Sequence, residues 1–117
     1  MSIETAVRNC FVSQTQEDAI YRVSADFPAF KGHFPGHPLL PAVAQISLCV
    51  DALECLKNEP LELAQVLRAK FINPILPQTD VRVNIQPKAE KIWIFTLDSI
   101  DKKTKFSQLI LAFKERI

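Results

Sequence analysis

The chain predicts an α+β domain in which an antiparallel sheet wraps around one long helix. Three observations carry this expectation. Apolar positions alternate with the period of a strand both before and after a single stretch that does not alternate. That stretch, Leu40 to Val50, has only Gln45 and Ser47 as polar side chains, and charges begin at Asp51. The segments between the later strands leave no room for βαβ crossovers, so the strands must pair antiparallel around the helix.

At 117 residues and 48% hydrophobic content, residues 1–117 suit one domain with a real core, small enough to gain from oligomerisation. Fourteen Lys and Arg against 13 Asp and Glu leave a net charge of +1, which gives no bulk field for nucleic acid or a membrane surface. Cys10, Cys49 and Cys55 lie in or near apolar runs without CxxC or zinc-ligand spacing, and read as small hydrophobes in a reducing cytoplasm. Glu4, Arg8 and Asn9 interrupt any signal-peptide core, and no run reaches spanning length. A soluble, unprocessed cytoplasmic protein is expected.

Taken in order, Glu4 to Val12 is a less regular segment expected to pair, through the polar turn Ser13 to Asp18, with the strand that follows. Ala19 to Phe27 alternates, with Tyr21, Val23, Ala25 and Phe27 on one side, and Pro28 stops it. Pro41 suits the first turn of a helix, where its missing N–H has no intrahelical duty. The helix it opens should be buried nearly all round. After the polar loop Lys57 to Pro60 come strands at Val66 to Ile72, at Val81 to Ile85 ended by Pro87, at Ile92 to Leu97, and at Phe106 to Phe113. Ile92 to Leu97 is apolar on both faces, as a sheet covered on both sides by dimerisation would be.

Chemistry concentrates in one place. Both glycines and both histidines fall within Gly32-His33-Phe34-Pro35-Gly36-His37, and four of the eight prolines lie between Pro28 and Pro41. Histidine is the side chain whose proton moves near neutral pH, which makes this segment the candidate active site.

His33-Phe34-Pro35-Gly36-His37-Pro38-Leu39-Leu40-Pro41-Ala42-Val43 resembles the HFPGxPxxPGV signature of the hot-dog-fold 3-hydroxyacyl-acyl-carrier-protein dehydratases. Ala69-Lys70-Phe71-Ile72-Asn73-Pro74-Ile75-Leu76-Pro77 is similar to the same family's KFxxPVxPGD segment and follows the helix at the corresponding place. The resemblance implies a hot-dog fold and syn elimination of water from a (3R)-3-hydroxyacyl thioester to the trans-2-enoyl product, in fatty acid or related polyketide or polyene synthesis. It implies His33 as the base at C2. It also implies backbone N–H donors to the thioester carbonyl at the helix start, where Ala42 replaces the family's glycine, and no cofactor. Phe34, Gly36, Val43 and Phe71 are the further substrate-binding positions. The partners implied are an acyl carrier protein or CoA thioester and a second subunit, in a homodimer or a higher oligomer of dimers.

The family places a Glu or Asp fourteen positions after the histidine, to hold and protonate the departing hydroxyl; here that position is Ser47. A serine hydroxyl donates a hydrogen bond but is too weak an acid to replace a carboxyl group. Asp51 lies about 40° around the helix and one turn along. It reads as the carboxylate of a shifted site, or else as a solvent-reaching or interface charge. Ser47 supports a second function, a catalytically impaired homologue that binds acyl chains or pairs with an active partner subunit; a third is a hot-dog acyl thioesterase, which also normally needs a carboxylate and against which the HFPG signature argues.

Smaller expectations accompany these. His37, at the signature's variable position, suits a surface or the mouth of the site, and His33 with His37 has no third ligand for a metal. Gln45 is either substrate-facing or a satisfied buried group. Phe30, Ile75 and Leu76 belong to the core or to an acyl tunnel. Lys31, Arg68 and Lys70 either form a solvated face or meet an acidic carrier protein. Gln78, where the family has glycine, implies an altered turn.

Overall fold

The computed structural model describes residues 2–30 and 38–115. His33, Phe34, Gly36, His37 and Lys31 lie outside the described residues. In chain order the elements are helix α1 (Ile3–Cys10), strands β1 (Phe11–Gln14) and β2 (Asp18–Val23), a short 3-10 turn (Pro28–Phe30), helix α2 (Ala42–Lys57), and strands β3 (Leu61–Phe71), β4 (Thr79–Ala89), β5 (Ile92–Asp98) and β6 (Lys105–Glu115). The strands form one antiparallel sheet in the order β1-β2-β4-β5-β6-β3. Two strands, one long helix and four strands is the sequence expected.

The first segment departs from expectation, because Ile3 to Cys10 is a helix. Ile3, Ala6, Val7 and Cys10 recur at helical spacing, and Ala6 and Val7 are the buried pair. Ser2 Oγ accepts the Thr5 N–H at 3.1 Å, with Glu4 in the first turn and Arg8 in the last to suit the helix dipole. Only Phe11–Gln14 is left to pair with β2.

On β2 the inward face is Ala19, Tyr21 and Val23, all buried. The strand stops at Val23 rather than Phe27, because the Phe27 N–H turns back to the Ser24 carbonyl at 3.2 Å. Phe27 nevertheless enters the core, edge-on to Phe30. Gln78 stands at φ 61°, the left-handed region that glycine takes freely, and its N–H donates to the Val23 carbonyl at 2.7 Å. The turn is thus made despite the side chain.

β3 begins at Leu61, earlier than the sequence pattern placed it. β4 runs through Pro87 to Ala89, with Pro87 opposite Trp93 of β5. Proline is admissible there because β2 pairs with β4 only as far as Asn84, so the other edge asks for no N–H. Outside the core, Arg82 forms a two-point contact with Asp98 at 2.9 and 2.6 Å and a third bond to Asp18 at 3.1 Å, joining β2, β4 and β5.

α2 packs Ala44, Gln45, Leu48, Cys49, Ala52 and Leu53 against the sheet. The expectation of burial all round holds on this face only: Val43 is 57% exposed, and Ile46, Ser47 and Val50 are half-buried. β3, bonded to β6 alone, is an edge strand with Val66, Leu67 and Phe71 exposed. The single chain therefore leaves two apolar surfaces uncovered, along α2 and along β3.

Candidate active site

The start of α2 has unusual local chemistry. Its N-cap is Pro41, which has no side-chain acceptor, and the Pro41 carbonyl receives the N–H groups of Ala44 and Gln45, both at 3.1 Å. The N–H groups of Ala42 and Val43 have no partner among the described residues. A serine or aspartate at the cap would have occupied a first-turn donor; proline leaves the donors, and the positive end of the helix dipole, to a ligand. Beside them lies a cavity of about 320 Å³ that brings Ala42 together with Phe71 and Pro74 of the second motif. Leu40 ties the two motifs, its N–H donating to the Ile75 carbonyl at 2.8 Å.

Val43 and Ser47 face a different cavity, also about 320 Å³, between α2 and the start of β3, with Ile46, Val50 and Leu63 as apolar walls. Ser47 is half-buried and its hydroxyl makes no hydrogen bond among the described residues. Of the expected apolar tunnel, Phe30 and Ile75 are core residues, whereas Phe71 and Leu76 are about half exposed. Gln45 is buried with both ends of its amide bonded.

Asp51 borders the Ser47 cavity, and a wider groove of about 700 Å³ opens on its other side. Its Oδ2 accepts from the Tyr21 hydroxyl and from the Cys55 thiol at 3.7 Å, with an Arg8 nitrogen at 3.8 Å. Arg8 also donates to the Cys55 sulfur. This cluster joins α1, β2 and α2, and Tyr21 and Arg8 are the residues that sequence reasoning missed. The available signal was that the chain's only tyrosine points into the core from β2, where a phenol needs a partner.

Burial, and then the neighbouring Asp51, push the Tyr21 phenol well above its ordinary range. Burial first, then Asp51, also raise the Cys55 thiol, with Arg8 opposing. Cys49 is raised by burial alone among its larger causes and is inert core. A phenol whose folded pKa is raised contributes stability that is complete below the unfolded value of about 10 and lost as pH rises beyond it. Because Tyr21 is the single tyrosine, absorbance at the phenolate band reads it alone. The expected result is no phenolate above about pH 10 until the fold is lost, the two changes coinciding; phenolate at an ordinary midpoint in folded protein would contradict the buried pair.

An antiparallel sheet cradling the long helix α2, whose first turn borders a cleft, defines a hot-dog-fold protein. Solved structures agree on the fold. The dehydratase heterocomplex ApeI:P from Xenorhabdus doucetiae superposes with a TM-score of 0.72 at 24% identity, over 88% of this chain and 92% of that one. The Escherichia coli PaaI protein does so with a TM-score of 0.64 at 9% identity, over 97% and 89%.

The model of the ApeI-like family, described as ApeI dehydratase, matches residues 9–110, and the chain belongs to this family. Among curated relatives, the 3-hydroxyacyl-acyl-carrier-protein dehydratase FabZ of Geobacter metallireducens is 31% identical over 110 residues, 83% of this chain and 73% of that protein. FabZ of Haemophilus influenzae strain PittEE is 35% identical over 81 residues, 62% of this chain and 55% of that protein. The chain thus spans about half the length of several of the curated relatives it matches. Among the described residues no helix is long and apolar enough to cross a membrane.

Proposed function

We propose that the chain acts in the dehydration of a (3R)-3-hydroxyacyl thioester to the trans-2-enoyl thioester, as a hydro-lyase of the cytoplasm. The observation that carries this reading is the Pro41-capped helix start, whose Ala42 and Val43 N–H groups have no partner among the described residues and where Ala42 lines the cavity shared with Phe71. Negative charge develops on the thioester oxygen as C2 loses its proton, and preorganised backbone donors act on that charge. His33 takes the C2 proton, the C2=C3 double bond forms, and the C3 hydroxyl leaves as water once protonated. Ala42 retains the backbone N–H, while its methyl stands where the thioester must approach.

The proton for the hydroxyl is the open part of the site. Ser47 does not supply it, and Asp51 is engaged by Tyr21, Cys55 and Arg8. The uncovered stripe on α2 and the apolar edge strand β3 favour a second subunit closing over this region. At the family's acid position a second copy brings only another Ser47. A different hot-dog subunit brings a carboxyl group, and the Xenorhabdus doucetiae neighbour, described as a heterocomplex, supports that form of the reading. In it the chain is a half-active partner that binds the acyl group and contributes His33. Arg68 and Lys70, exposed on β3, suit an acidic carrier protein at the mouth.

The deciding assay mixes purified protein with a 3-hydroxyacyl carrier-protein thioester and its CoA counterpart, following enoyl absorbance and free thiol. Enoyl product from the chain, alone or with an acid-bearing hot-dog subunit, is expected. Free thiol without enoyl would instead make the protein a thioesterase, and acyl binding without turnover in every mixture would leave only an acyl-binding homologue.

A further inference from the structure

Gln45 stands at the end of the first turn of α2 on its buried face, 4% exposed, where its neighbours Ala44, Leu48, Cys49, Ala52 and Leu53 are apolar or nearly so. A buried amide is costly unless bonded, and a leucine or methionine would fill the same place without that cost. Both ends of this amide are used. Oε1 accepts from Ser107 Oγ at 2.7 Å, and Nε2 donates to the Leu40 carbonyl at 3.2 Å. Ser107 is fully buried on β6, in register with Phe71 of β3.

These contacts form one chain of bonds. Leu40, itself buried, closes the segment that leads from the His33 motif to the helix, and its N–H is held by Ile75 of the second motif. A single side chain therefore links the helix, the end of the His33 segment and β6, and reaches the Phe71 wall through the strand pairing. Apolar contacts would hold these parts together without fixing their relative height or angle, whereas hydrogen bonds carry distance and direction. What they orient is the Pro41-capped start of α2 with its two free donors.

We propose that Gln45 is the positioning residue of the thioester site: through Leu40 and Ser107 it sets the helix start, and hence the Ala42 N–H, against Phe71. Its own polar atoms are engaged, so it acts through the backbone rather than on the substrate. The kinetic part of this inference rests on the dehydration reading; the structural part does not.

The test uses Gln45→Met, which keeps length and removes both bonds, and Ser107→Ala, which releases one. Enoyl formation is measured in whichever assembly turns over, and amide hydrogen exchange is measured on the free chain. Gln45→Met is expected to lower kcat by about ten- to a hundredfold with KM nearly unchanged, and Ser107→Ala to do the same to a smaller degree. Exchange at Leu40 should accelerate by about tenfold more than at Phe95 in the sheet interior. Equal acceleration at Leu40 and Phe95 would reduce Gln45 to a contributor to global stability and overturn the proposal, as would an unchanged kcat in an active assembly. Should no assembly make enoyl product, the dehydration reading fails and the exchange ratio alone decides for or against the clamp. If Gln45→Met does not fold, Ser107→Ala carries the same two readouts.

Discussion

Replacing His33 by alanine is expected to lower enoyl formation by about 10²- to 10⁴-fold, the range for loss of a positioned general base. The effect should fall on kcat and on kcat/KM together, because the imidazole acts on the C2 proton only as the transition state is reached. His37→Ala, at the variable position of the same segment, is the matched control and should retain most of the activity. The pH profile supplies a second reading. A base must be neutral, so kcat/KM should fall as pH drops into the range where an imidazole gains its proton, and this acid limb should vanish in His33→Ala. Urea midpoints of the two variants should stay close to that of the parent chain. Enoyl formation that survives His33→Ala with its acid limb intact would move the base elsewhere and remove the functional meaning of the motif.

The architecture was legible because two periods are written plainly in the chain. Ala19, Tyr21 and Val23, and then Val81, Val83 and Ile85, alternate and are buried, while the uncharged, largely apolar run after Pro41 is the helix they pack against. What was missed lies where short-range signals compete. Ile3, Ala6, Val7 and Cys10 have helical spacing, but the run is a bare eight residues long and leads directly into β1. Pro87 ends a strand in most settings and continues one here only because the pairing of β2 with β4 reaches no further than Asn84, a fact of topology rather than of local sequence. The helix start and Phe71 could be assigned to one site from their motifs. The polar partners could not: Tyr21 with Asp51 are thirty residues apart and Ser107 with Gln45 sixty-two, and no local pattern specifies such pairs.

Ser47→Glu is the second large expected effect, and it runs in the opposite direction. The family's acid position holds no proton donor for the departing hydroxyl, so placing a carboxyl group there should raise enoyl formation by the chain alone by about 10²-fold. Val43, Ile46, Val50 and Leu63 form apolar walls and Glu4, Asp51, Glu54 and Glu62 line the same cavity, so desolvation and like charge both disfavour the charged form and raise the pKa of an introduced carboxyl group toward useful acidity near neutral pH. The cost is a larger side chain at a half-buried position that borders open space, so no core neighbour must move. Asp51 separates two explanations of any activity the parent chain already has. One turn is about 5.4 Å, and the Asp51 carboxylate is committed to Tyr21, Cys55 and Arg8, so Asp51→Asn should lower stability while leaving enoyl formation within a few-fold. If Asp51→Asn instead abolishes turnover and Ser47→Glu adds nothing, the acid sits one helical turn from the family position. If Ser47→Glu activates the isolated chain while the parent needs an acid-bearing partner, the missing carboxyl group is supplied across the interface, and the apolar stripe on α2 together with the edge of β3 is the surface that brings it there.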